Sequence, residues 1–137
     1  MLVIFVALAV PTRSAVDQTR VCLVAQAILH VAQDLGKERP WLYEPGSLST
    51  AEAKALDPIL RNQGFHKADG SARKQLLYVK FTEWQSVSRT RRKVKLYALF
   101  ANLKDDVGHE RYPTFFFNRK GSRWVFDRKA SFYGPGE

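Results

Sequence analysis

Four side chains in the second half of the chain are of types that move protons: Glu83, His109, Tyr112 and Asp127. Glu83 follows Leu77, Val79 and Phe81 at spacings of two, so on a strand it shares their face. If that face is the core, its carboxyl sits among apolar groups with a raised pKa and can act as an acid or base. The plainer expectation is that Glu83 lies past the edge of the core and meets water or an arginine. His109 stands beside Gly108 at an expected turn, and Asp127 near the end of the last expected strand. Spacing does not bring these groups together, and turn histidines are usually solvated, so catalysis is the weaker expectation.

Metal and cofactor chemistry find less support. His30 falls on the polar side of an expected helix and His66 in a loop, so no histidine pair has metal-binding spacing. No glycine loop cradles a phosphate, no nucleophile elbow is present, and no motif calls for a cofactor. Cys22 is the single cysteine, which excludes an internal disulfide and a cysteine-based zinc site. Within Val21-Cys22-Leu23-Val24 it reads as a buried small hydrophobe rather than a reactive thiol.

The elements that position these residues follow from periodicity. Val21, Val24, Ile28, Val31 and Leu35 recur every three or four positions, which predicts an amphipathic helix over 16–35. Gly36 suits its C-terminal cap, and Pro40 prevents continuation. The stretch from Lys37 to Leu48 reads as a loop with aromatic anchors. Ser49-Thr50-Ala51-Glu52 has the form of a capping box, and Asp57-Pro58 predicts a kink or a second short helix before Gly64. From Arg73 the period becomes two. Strands are expected over Leu77–Val87, Lys93–Phe100, Arg111–Asn118 and Arg123–Lys129, joined by short turns as a four-strand meander. Pro113 should occupy a bulge or a strand start, because it cannot donate to a ladder. The fold class expected is α+β, with N-terminal amphipathic helices packed on a curved antiparallel meander.

A chain of 137 residues with 45% apolar and 26% charged side chains suits one folded domain. Met1 to Val10 is wholly apolar, too short to span a bilayer at about 20 residues, and the length of a signal-peptide core. Although no Lys or Arg precedes Arg13, residues 1–15 are expected to be an export signal with a truncated basic region, and 16–137 the folded domain. Export places the protein in the periplasm or outside the cell. A cytoplasmic protein is the alternative, with residues 1–10 built into the fold.

The run Lys93-Val94-Lys95-Leu96-Tyr97, then Tyr112-Pro113-Thr114-Phe115-Phe116-Phe117, then Gly121-Ser122-Arg123-Trp124-Val125-Phe126-Asp127 resembles the nuclear-transport-factor-2-like superfamily. The likeness covers roughly 60 residues as a pattern rather than a signature. It implies a cystatin-like cone in which a sheet wraps round helices, and in enzymes of that fold a few polar residues inside the cone. The short hairpin often found between the second and third helices of the family is not evident. Members include dehydratases, isomerases and scaffolds, so the likeness leaves function open.

Charge placement is more specific. Residues 71–137 hold fifteen basic and six acidic side chains, which accounts for the whole net charge of +9. Arg89, Arg91, Arg92, Lys93 and Lys95 surround the first hairpin turn, and Arg119, Lys120 and Arg123 the third. In an up-and-down meander these turns share one end of the sheet, while Asp105, Asp106 and Glu110 mark the other. A positive rim of this kind attracts anions and steers acidic partners. The expectation is therefore a non-catalytic binding or accessory module that meets an acidic protein or an anionic membrane surface. Alternatives are a small dehydratase- or isomerase-like enzyme with its site in the cone, and a cytosolic nucleic-acid binder using Tyr78, Trp84, Tyr97 and Trp124 for stacking. The bland reading is a solvated rim that only keeps the protein soluble.

Overall fold

The computed structural model describes residues 16–35, 41–68, 77–102 and 107–135. The expectations for the export segment, for Gly36 and Pro40, and for Asp105 and Asp106 lie outside these residues. Helix α1 spans Gln18–Leu35, as its periodicity predicts, and buries Val21, Val24, Ala25, Ile28, Val31 and Ala32 along one stripe. Helix α2 spans Thr50–Arg61. Ser49 caps it: the Ser49 hydroxyl accepts from the Glu52 amide, and the Glu52 carboxylate accepts from the Ser49 amide. Pro58 lies within a continuous α2, so the expected division into two helices is not found.

The sheet has six strands rather than four. In chain order they are β1 (Trp41–Glu44), β2 (Phe65–Lys67), β3 (Leu77–Ser88), β4 (Arg91–Asn102), β5 (Val107–Lys120) and β6 (Arg123–Pro135). Their order across the sheet is β2-β1-β3-β4-β5-β6. The meander β3 to β6 is antiparallel, as expected, and β1 pairs parallel with both β2 and β3. The added strands are four and three residues long, too short to display an alternating pattern. His66 thus lies in strand β2, not in a loop.

One face of the sheet packs on α1 and carries Leu77, Val79, Phe81, Val94, Leu96, Ala98, Phe115 and Phe117, all buried. Each of the Val, Leu and Phe side chains contributes about 1.5–3 kcal/mol relative to exposure. Register shifts interrupt the meander's pairing between Phe81 and Glu83, between Ser86 and Ser88, and between Thr114 and Phe116. Between Phe81 and Glu83 the register with β4 shifts, so Phe81 faces Leu96 while Glu83 faces Lys95. Thr82 is the extra residue, and the side chains from Glu83 to Ser86 change face before a second shift between Ser86 and Ser88. Glu83 is therefore exposed and pairs with Lys95 at 3.8 Å, while Trp84 turns in against the core.

Pro113 lies inside β5 rather than at a strand start. No pairing with β4 occurs between Lys95↔Thr114 and Ala98↔Arg111, which spares the missing N–H a ladder partner. On the other side, β6 bulges: Thr114 pairs with Phe132, but Phe116 pairs with Asp127. Inside that bulge the Asp127 carboxylate accepts from the Ala130 amide, and the Ser131 hydroxyl accepts from the Phe116 amide. Asp127 is thus held mid-strand at a bulge rather than near a strand end.

Two further corrections concern α1. Cys22 is exposed, not buried, because it falls in the row of Gln18 and Gln26, one step round the helix from Val21. His30 is half-buried, not on a solvated face. Its ring stacks on Phe126 at 3.9 Å and meets Phe115 edge-on at 6.1 Å, since the meander's last strand reaches over that side of the helix.

Candidate functional site

The basic side chains converge because both hairpins at this end close tightly. Ser88 pairs with Arg91 and Lys120 with Arg123, which leaves Arg89-Thr90 and Gly121-Ser122 as two-residue turns. Gly121 adopts φ +65°, a conformation that such turns require and that glycine accepts without strain. The Arg119 amide donates to the Thr90 carbonyl at 2.8 Å and fastens one turn to the other. Arg89, Arg91, Arg92, Arg119, Lys120 and Arg123 therefore share one end of the sheet.

Alternation sorts these cations between the two faces. Arg91 lies on the face away from α1, where its guanidinium sits 4.5 Å over the Phe116 ring. It donates to the Asn118 side-chain oxygen and lies 3.5 Å from the Asp127 carboxylate. Arg92 lies on the α1 side, 4.7 Å over the Trp124 ring, and donates to the Ser88 carbonyl at 2.7 Å. The Arg119 guanidinium donates to the Gly121 carbonyl at 3.0 Å. Lys93 and Lys95 follow Arg91 along the outer face, opposite Phe116 and Thr114. Among the described residues only Asp127, with Arg91, and Glu83, with Lys95, supply carboxylates to these cations. The Asn118 amide donating to Asp127 holds its carboxyl below the usual range, helped by the Ala130 amide and by Arg91.

The candidate acid–base groups are not brought together. His109 lies in β5, not at a turn, exposed and stacked on Phe100 at 5.1 Å. Tyr112 stands on the outer face, edge-on to Tyr97 at 5.4 Å. Asp127 pairs across from Phe116, seven residues along β5 from His109, which is roughly 23 Å of strand. Glu83 is two strands over, beside Lys95. No shared substrate position lies within reach of all four. Among the described residues, no group of three His, Cys, Asp or Glu side chains could hold a metal ion. No described helix is long and apolar enough to cross a membrane.

At the opposite end of the outer face runs a tyrosine row. Tyr78 donates to Glu44, and Tyr97 donates to Glu110 at 2.7 Å. Burial pushes the Tyr97 phenol up to about 12, and its bond to Glu110 adds to the rise. Tyr78 and Tyr97 therefore stand on the outer face away from the rim, while Trp84 and Trp124 face α1. The four aromatics proposed for base stacking are divided between two surfaces.

Two polar links escaped the sequence. Glu52 is 1% exposed and accepts from the Asp17 amide at 3.0 Å and from Arg20 at 3.2 Å. Tyr43, buried in β1, donates to Asp57 of α2. The capping box signals Glu52's bond to Ser49, but nothing in the spacing signals its burial against α1.

Among the described residues, the class these elements define is α+β, with two helices and a six-strand, mostly antiparallel sheet. No protein-family model matches the chain, and no curated protein matches it either. In a crystal structure at 1.70 Å resolution, an NTF-2-like protein of unknown function from Shewanella oneidensis MR-1 is similar to this chain. The similarity has 15% identity and a TM-score of 0.39, and covers 80% of this chain and 94% of that one.

Proposed function

We propose that the protein is an exported, non-catalytic binding module that meets an acidic protein surface through the basic rim. The observation that carries this reading is the bond from the Arg119 amide to the Thr90 carbonyl, which joins two arginine-bearing turns into one surface. Several of the cations are preorganised. Arg91 and Arg92 are only half-exposed, sit over aromatic rings and are oriented by hydrogen bonds. Oriented guanidinium groups suit the planar geometry of carboxylates and lose little entropy on engaging them. A mobile lysine-rich segment would serve a diffuse headgroup layer better. The division of Tyr78 and Tyr97 from Trp84 and Trp124 weighs against a stacked nucleic acid. Phe81, Phe115 and Phe117, fully buried against α1, weigh against an enzyme site in the cone. Export is argued from the apolar run Met1–Val10 alone.

The test compares binding of the full chain to poly-L-glutamate, phosphatidylglycerol vesicles and a single-stranded oligonucleotide by calorimetry. Poly-L-glutamate should bind tightest, and the variant Arg119→Glu, Lys120→Glu, Arg123→Glu should lose about tenfold or more in affinity. Preference for vesicles or oligonucleotide, or no effect of the triple reversal, overturns the reading.

A further inference from the structure

Beside the turns of the rim, the outer face of the sheet carries a groove that shares only Lys93 and Lys95 with the basic cluster. This groove of about 530 Å³ runs between β4, β5 and the end of β6, within the range of small-molecule sites. Its apolar walls are Tyr112, Phe116 and Phe132, and Lys93, Lys95 and Thr114 line it as well. The groove owes its shape to backbone irregularity. The β6 bulge brings Phe132, rather than a residue nearer Asp127, opposite Thr114. Gly134 then pairs with Tyr112 and presents no side chain, so the space between them stays open. A Cβ at Gly134 would come within 3.2 Å of the Tyr112 carbonyl oxygen.

Two properties mark this groove as unfinished surface. Phe132 is 54% exposed and Tyr112 37%, on a face where an aromatic side chain costs apolar hydration. Its charges are of one sign: Lys93 makes no ion pair among the described residues, Lys95 meets only the exposed Glu83, and no carboxylate lines the groove. A bare anion such as phosphate would leave the aromatic walls wet. A neutral apolar molecule would leave the two ammonium groups unanswered.

We infer that the groove binds a freely diffusing small amphipathic anion, a carboxylate or sulfonate on an aromatic or acyl body. The head group lies at Lys93 and Lys95, and the body lies between Phe116, Tyr112 and Phe132. The site shares Lys93 and Lys95 with the basic cluster but can be tested apart from the rim reading, since Arg119, Lys120 and Arg123 stand at the strand ends outside it.

The experiment titrates the full chain with 1-anilinonaphthalene-8-sulfonate, following its fluorescence, with laurate and dodecylamine as competitors. One saturable site is expected, displaced by laurate and not by dodecylamine. Phe132→Ser and Lys93→Glu should each weaken it about tenfold, the size of one lost anchor. Both side chains lie at the surface, and superimposable thermal melts show that the variants fold; Lys93→Gln provides a milder second variant. The triple rim reversal Arg119→Glu, Lys120→Glu, Arg123→Glu should leave probe affinity unchanged, which separates failure here from failure of the rim reading. Four results overturn the inference. They are unchanged affinity in both groove variants, equal displacement by dodecylamine, binding only to phosphatidylglycerol vesicles, and a dimer in sedimentation that Phe132→Ser dissociates.

Discussion

Replacing Glu52 by Ala tests how the two helices are held together. Its carboxylate is 1% exposed and serves three partners: the Ser49 amide at 3.3 Å, the Asp17 amide at 3.0 Å and the Arg20 guanidinium at 3.2 Å. Removing one member of a buried ion pair costs about 3–5 kcal/mol when the other charge is left without compensation. Arg20 is 34% exposed, so water recovers part of its loss, and the low end of that range applies. Arg20 also keeps its position 5.4 Å from the centre of the Trp84 ring. The half of the capping box that Glu52 supplies adds up to about 1 kcal/mol within the same total. The expected cost is therefore about 3 kcal/mol, which lowers the melting temperature by about 10 °C for a chain of this size. Urea denaturation and thermal circular dichroism read both quantities. Glu52→Gln should cost less, since the amide oxygen still accepts from Ser49. A cycle of Arg20→Ala and Glu52→Ala should show a coupling of at least about 1 kcal/mol. A loss below about 1 kcal/mol for Glu52→Ala would refute the claim that this carboxylate ties α1 to α2.

Two further outcomes follow from the packing. His30 has its pKa lowered from 6.5 by burial first and by Arg128 second, with Asp34 opposing. The folded state then binds fewer protons than the unfolded one, so stability is complete above 6.5 and falls as pH drops below it. Melting temperatures should decline as pH falls below about 6.5, and His30→Phe should flatten that slope; an equal slope in both proteins counts against the burial argument. Gly46 holds φ +60°, and a Cβ there would overlap the Phe81 carbonyl oxygen beside the Thr82 bulge. Gly121 has a similar φ of +65° but open space around it. Gly46→Ala should thus cost at least about 2 kcal/mol and Gly121→Ala about 1 kcal/mol in urea melts, and equal losses would mean that the overlap is relieved without cost.

Local pattern alone determined a good deal. The stripe from Val21 to Leu35, the pairing of Ser49 with Glu52, and four strands of period two each depend on neighbours within a few residues. Such signals are written directly into the sequence. So is the polarity of the meander: once the strands run up and down, the first and third turns must share an end. What only the tertiary structure decided is which face a residue presents after an irregularity. The extra residue at Thr82 exposes Glu83 and turns in Trp84, and the bulge after Asp127 lifts Phe132 over the outer groove. A bulge is chosen by packing against other strands, and adding one residue reverses every side chain beyond it. The short parallel strands at Trp41–Glu44 and Phe65–Lys67 likewise exist only through partners distant in sequence, the first pairing with both Leu77–Lys80 and Phe65–Lys67. Burial of Glu52 and His30 has the same origin: their partners stand 32 residues away at Arg20 and almost a hundred away at Phe126. Contacts across such separations leave no periodicity in the chain, and only the folded packing of α1 against α2 and the sheet brings them into being.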